Sequence, residues 1–186
     1  PQDTSSAASD VYKRQVKQVF ASLWTERAFE EREFHRLDHG KVAMGVLMHE
    51  SYRKEKANGV AVTLDVLYQR EGFNYVNVQV GEDMVTNPEA HSVPEELLVP
   101  WRRGETRVMQ ASNRVKKGTL ILSDDHRDAL KRALEKIHDG FAKLHGKKAS
   151  DPRFAMEIEF KVTKDGALAI KQARPWIFAP EVSKKK

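Results

Sequence analysis

Cysteine is absent from all 186 residues. That excludes a disulfide scaffold, a Cys-ligated zinc site, an iron–sulfur cluster and a thiol nucleophile. The absence fits a reducing compartment without demanding one, and the expected setting is cytoplasmic. Long apolar runs are lacking too. No stretch approaches the roughly 20 residues needed to cross a bilayer, so no membrane partner is expected. Ten Gly and seven Pro are too few for a linker or a fibrous protein. Charge of one sign is only slightly in excess, with 32 Lys+Arg against 27 Asp+Glu and a formal net charge of +5. Part of that excess is the terminal Lys184-Lys185-Lys186. This balance reads as a mixed solvated surface rather than a phosphate-backbone footprint, and no nucleic-acid partner is expected.

What remains is ordinary for a globular domain: 40% hydrophobic and 8% aromatic residues, enough to build a core without staples. The first fifteen residues stand apart. Pro1 to Gln15 (PQDTSSAASDVYKRQ) are small and polar, and are expected to be disordered. Within them, Ser5 to Gln15 resembles the in-frame translation of a transposase-type sequencing adapter, which would make the segment non-native. The expected organisation is therefore 1–15 as an adapter-derived segment, 16–178 as the domain, and 179–186 as a flexible basic tail.

Periodicity then predicts an α+β arrangement. Apolar residues from Val16 to Leu37 keep helical spacing, and Gly40 is a stop signal. Val42 to His49 (VAMGVLMH) is a short apolar run expected to form a buried strand. Asn58 to Asp65 and Tyr75 to Val80 read as strands. Gly81 to Arg103, with three prolines, reads as loop. Arg107 to Gln110 and Thr119 to Leu122 are further short strand candidates. Ser123 is an N-cap signal before Asp124 and Asp125, followed by an apolar stripe through Leu130, Leu134, Ile137, Phe141 and Leu144. The chain closes on Phe154 to Thr163 and Ala167 to Arg174, separated by Lys164-Asp165-Gly166, a hairpin signal.

That hairpin carries the chemistry. A two-residue Asp165-Gly166 turn pairs Lys164 with Ala167, Glu159 with Gln172 and Glu157 with Arg174. Alternation puts these last four on one face and Met156, Ile158, Phe160, Val162, Ala169 and Ala173 on the other, core-facing side. In this register Lys171 faces the Phe160 side and must snorkel. Opposed residues have Cβ atoms about 4.5–5.5 Å apart, so two carboxylates, an amide and a guanidinium converge on one patch. Carboxylate and amide oxygens suit Mg²⁺, and a guanidinium suits a phosphate oxygen pair. The plainer alternative is a solvated face of cross-strand ion pairs, which contribute little.

The wording of the sequence extends this. Glu157-Ile158-Glu159-Phe160 with Ile170-Lys171-Gln172-Ala173-Arg174-Pro175 resembles the "DIEW … VQARP" ending of the nucleotide-binding domain in the phosphoenolpyruvate synthase and pyruvate phosphate dikinase family. Phe20 to Ala28 (FASLWTERA) resembles its "vwaSlwteRA" helix. Met44 to Glu50 (MGVLMHE) resembles "MaVLVQEm", and Asn58 to Thr63 (NGVAVT) resembles "sGVaFT". The four motifs run in order from Val16 to Trp176.

The resemblance implies the second lobe of an ATP-grasp fold: a mostly antiparallel sheet with flanking helices and a closing β-hairpin. It implies ATP and Mg²⁺ as ligands. Glu159 and Gln172 take metal-ligand positions, and Arg174 takes the phosphate-binding, catalytic position. Glu157 stands where the family has Asp. Met48, His49 and Glu50 fall on the strand that meets the adenine, with His49 in place of the usual Gln. Lys171 stands where an apolar residue is typical. The first lobe, with its phosphate-cradling loop, and the phosphohistidine domain are expected as partners outside this chain. The implied activity is phosphoryl transfer from ATP to that histidine, then to pyruvate or a related acceptor. The isolated chain is expected to be inactive. A non-catalytic nucleotide-binding or interaction module with the same fold is the alternative. Among the seven histidines, the His35–His39 pair has helical spacing but no HExxH context, so solvated or capping roles are expected.

Overall fold

The computed structural model describes residues 4–48, 52, 54–82 and 91–178 and, within them, side chains from residue 10 onward. Two compact units divide at residue 50, Pro1–Glu50 and Ser51–Lys186. The basic tail at 179–186 lies outside the described residues, as do His49 and Glu50.

The first unit is helical. α1 spans Thr4–Ala21, so the chain is helical well before Val16, where composition alone suggests irregular chain. Val11 and Tyr12 on it are exposed. The single helix expected from Val16 up to the Gly40 stop is broken. A 3₁₀ turn covers Ser22–Trp24, and α2 runs over Glu26–Phe34. Side-chain chemistry explains the break. Ser22 Oγ donates to the Val19 carbonyl, and Thr25 Oγ1 donates to the Ser22 carbonyl. Thr25 also accepts from the Ala28 N–H as the N-cap of α2. Such short hydroxyl side chains compete with the helical ladder and favour a new start.

This unit buries little. Among the described side chains of its helices only Arg32 is buried; it donates to the Leu23 carbonyl at 2.6 Å and to His39 Nδ1 at 2.8 Å. His39 stacks on Phe29 and donates through Nε2 to Glu33. That is a local bracing role for a histidine of the His35–His39 pair. Phe34 is 83% exposed. Val42 to Met48 form no strand and are largely exposed, contrary to the buried strand expected there. An apolar run becomes a strand only where another backbone edge pairs with it, and none does among the described residues.

The second unit is a six-stranded antiparallel sheet of order β4-β3-β2-β1-β5-β6. The strands are β1 (Ala57–Val62), β2 (Phe73–Val80), β3 (Glu95–Pro100), β4 (Arg107–Gln110), β5 (Met156–Val162) and β6 (Leu168–Pro175). β3 replaces the loop expected over Gly81 to Arg103. Its apolar centre, Leu97 to Val99, is masked in the sequence by Glu95-Glu96 and two prolines. Those prolines sit just before the strand and at its last residue, where a missing N–H is tolerated. Thr119 to Leu122 form no strand; the Ile121 N–H instead donates to the Glu95 carboxylate.

α3 (Asp124–Leu144) starts as expected, with Ser123 Oγ accepting from the His126 N–H and acids in the first turn. Its apolar stripe covers one face of the sheet. Leu130, Leu134 and Ala142 pack with Val76, Leu97, Ile158 and Phe160 in the main core. Gly59 is required there by space: a Cβ at that position would lie 2.4 Å from the Phe160 ring and 2.8 Å from the Asn77 carbonyl. The other face of the sheet holds a smaller apolar cluster of Val62, Tyr75, Leu98 and Ala155. Beside it lies a polar patch.

Candidate functional site

The patch is set by the register of β5 against β6. Glu157 pairs with Arg174 and Glu159 with Gln172, as the turn argument predicts. The route to that register differs in two places. The loop has three residues, Lys164 to Gly166. The Thr163 N–H donates to the Ala167 carbonyl, the Gly166 N–H to the Thr163 carbonyl, and Gly166 has φ +87°. This is the three-residue hairpin whose last loop residue needs the left-handed region. The resulting one-residue slip is undone by a bulge between Glu159 and Phe160, where Phe160 pairs with Ile170 and Lys171 is the extra residue.

Packing explains why the slip is favoured. It turns Leu168 and Ile170 toward the main core, where the expected register would have placed the much smaller Ala169. It also corrects the position of Lys171. Instead of snorkelling from the Phe160 side, its Nζ lies 3.7 Å from Glu159 Oε2.

On the patch, Arg174 donates to a single carboxylate oxygen, Glu157 Oε1, from Nη2 at 2.7 Å and from Nε at 3.2 Å. The Glu157 side chain is 16% exposed and that of Glu159 is 44% exposed. Gln172 is exposed, and among the described residues its amide has no hydrogen-bond partner. The two carboxylates therefore differ. Glu157 is committed to holding the guanidinium. Glu159 presents its oxygens to solvent with only a loose cation beside it.

Two further charged side chains belong to this neighbourhood. Lys161, opposite Asn58 on the same face as Glu159, donates to Glu55 Oε1. The Glu55 side chain is 1% exposed, and its Oε2 has no partner. Burial pushes the Glu55 carboxyl up. The Lys161 hydrogen bond, its own backbone N–H and the charges of Lys161 and Lys171 outweigh this and hold it below the usual value. Alternation alone places Lys161 on this face. Glu55 has no such signal, because it precedes β1 just after Lys54, whose φ is +57°.

Of the expected adenine contacts, Met48 belongs to the first unit and is 82% exposed, and His49 and Glu50 lie outside the described residues. Among the described residues, no group of three or more His, Asp or Glu side chains gathers as a metal cage. A hard cation here would have Glu159, the Gln172 amide oxygen and the free oxygen of Glu157 available, with water or phosphate completing its shell, a ligand set typical of Mg²⁺. On the α3 side, a cavity of about 170 Å³ is lined by Thr63, Asn74, Trp101, Leu134 and His138. His138 there is already braced, through Nδ1 by Thr63 and through Nε2 by the Ala149 carbonyl. None of the four patch residues lines this cavity.

Comparison with known proteins agrees with the motifs. A family described as "Pyruvate phosphate dikinase, AMP/ATP-binding domain" matches residues 5–186. A curated relative, the "Probable phosphoenolpyruvate synthase" of Methanocaldococcus jannaschii, is 26% identical over 181 residues. The match covers 86% of this chain and 14% of that protein, so the chain spans about a seventh of the relative's length.

Proposed function

Because the chain belongs to the pyruvate phosphate dikinase AMP/ATP-binding domain family, we propose that the patch of Glu157, Glu159, Gln172 and Arg174 is its MgATP-binding surface. In this reading the second unit is the second lobe of an ATP-grasp site. Met48, His49 and Glu50 contribute to the adenine contact, and a preceding lobe supplies the remaining phosphate-binding cations. The observation that carries the reading is the β5–β6 register, which sets two carboxylates, an amide and a guanidinium on the sheet face away from α3.

The residues divide the work. Glu159 and Gln172 offer oxygens free of hydrogen bonds among the described residues to Mg²⁺, and Glu157 orients Arg174. Bound there, the ion would supply charge neutralisation at the phosphates. Arg174 presents its planar fork to a phosphate oxygen pair once the nucleotide competes with Glu157. The whole enzyme would pass the phosphoryl group to a histidine on a separate domain and then to pyruvate or a related acceptor, in a cytoplasmic setting. This chain alone, holding only part of the charge stabilisation, is expected to bind ATP weakly and to transfer no phosphoryl group.

Calorimetric or NMR titration with MgATP tests this. Glu159→Gln and Arg174→Lys should each weaken MgATP binding by about tenfold, the scale of one charge-assisted contact. Their unfolding midpoints should stay near the parent's. Unchanged MgATP affinity in both variants would refute the assignment.

A further inference from the structure

The bulge in β6 has put a cation where the alternation of the sequence would not. Around the patch, Lys161 is tied to the buried Glu55 and Arg174 is tied to Glu157. Lys171 is not tied in this way. It makes no hydrogen bond among the described residues, and its one ion pair is the 3.7 Å approach to Glu159. Its side chain is partly shielded, so the ammonium is held near the patch rather than free in solvent. Its charge also reaches the Glu55 carboxylate, which lacks a partner on Oε2. Bulges commonly re-aim one side chain without disturbing the rest of a ladder. Here the ladder positions of Glu157, Glu159, Gln172 and Arg174 are kept, and Lys171 is the charged side chain that is re-aimed.

We propose that Lys171 is a polyphosphate-binding residue of this patch: it neutralises Glu159 while the site is empty and pairs with nucleotide phosphate when a metal–nucleotide complex takes Glu159. This rests on the MgATP reading of the patch. The distances allow it. A hard cation sits about 2.1 Å from each of its oxygens, so a phosphate oxygen sharing that ion with Glu159 lies about 3–4 Å from the carboxylate. The Nζ already occupies that neighbourhood, and its flexible four-carbon stem can follow the phosphate. A consequence is selectivity. A free divalent ion must displace Lys171 and leave it without an anion, whereas an ion carrying polyphosphate supplies one.

The test compares Lys171→Met and Lys171→Arg with the parent chain. ATP, MgATP, AMP and free Mn²⁺ are each titrated by calorimetry or NMR. Lys171→Met should weaken ATP and MgATP about five- to tenfold. It should change AMP less than about twofold and tighten free Mn²⁺ about two- to threefold, since a competing cation is gone. Lys171→Arg should keep most of the ATP affinity. A purely structural role would move metal and nucleotide in the same direction or move neither. Unchanged ATP binding, equal losses for ATP and AMP, or weakened Mn²⁺ binding would each overturn the proposal. If Glu159→Gln and Arg174→Lys lose MgATP binding while Lys171→Met does not, Lys171 alone is misassigned. If none of the three variants affects it, the patch and the Lys171 proposal fail together.

Discussion

The two faces of the sheet use the same backbone for opposite ends. On one face, α3 closes over Val76, Leu97, Ile158 and Phe160, and the packing is tight enough that Gly59 leaves no room for a methyl group. On the other, Glu159 and Gln172 stand in solvent and Arg174 is held by one carboxylate oxygen. β5 serves both, with Met156, Ile158, Phe160 and Val162 buried and Glu157, Glu159 and Lys161 partly exposed. A strand of this kind separates stability from chemistry residue by residue. The packed face fixes where the polar face points, and the exposed positions of the polar face can hold groups that contribute little to folding.

The largest effect that would sharpen this contrast is on stability. Phe160→Ala should cost about 3–5 kcal/mol, because it opens a cavity beneath Gly59 and α3. Gln172→Ala, twelve residues on and exposed, should stay within about 0.5 kcal/mol. Denaturant unfolding of both variants checks this, and comparable losses would break the division between the faces.

A smaller effect separates two buried carboxylates. Glu95, on the α3 side of β3, is fully buried, and burial pushes its carboxyl above the usual value of 4.5 despite the backbone N–H groups of Ile121 and Leu122 and the charge of Arg127. Glu55 is held below 4.5. The signs follow from linkage. A raised folded value means that ionising Glu95 opposes folding as pH rises past 4.5, so Glu95→Gln should gain stability relative to the parent toward neutral pH. A lowered value means that the Glu55 contribution is present above 4.5 and is lost as pH falls through its folded value. Glu55→Gln should therefore be destabilising near neutrality, with the deficit shrinking in acid. Unfolding curves between about pH 3 and pH 7 distinguish the two; parallel pH profiles would contradict the opposite burial chemistry.

The patch was legible in the sequence because three signals agreed: an Asp-Gly turn, strict alternation along Phe154 to Val162, and the motif wording. Two errors in the turn argument cancelled at Glu157, Glu159, Gln172 and Arg174. They did not cancel at Lys171 or Ala169, since a bulge has no local sequence signature and is chosen by what Leu168 and Ile170 bury. β3 escaped because its apolar centre is only three residues long between prolines and acids. The break at Thr25 was hidden because apolar spacing continues through it while the hydroxyls of Ser22 and Thr25 redirect the backbone. Val42 to Met48 has strand composition but meets no partner edge among the described residues, and composition cannot supply one.

Paramagnetic broadening can locate the metal–nucleotide complex on this surface. With the chain labelled for NMR, a small fraction of MnATP is added and the loss of backbone amide signals is mapped. Broadening should centre on Glu157 to Glu159 and Lys171 to Arg174 and spare α3 and the cavity at Thr63 and His138. Broadening centred on that cavity, or spread evenly over the surface with the hairpin unaffected, would contradict it.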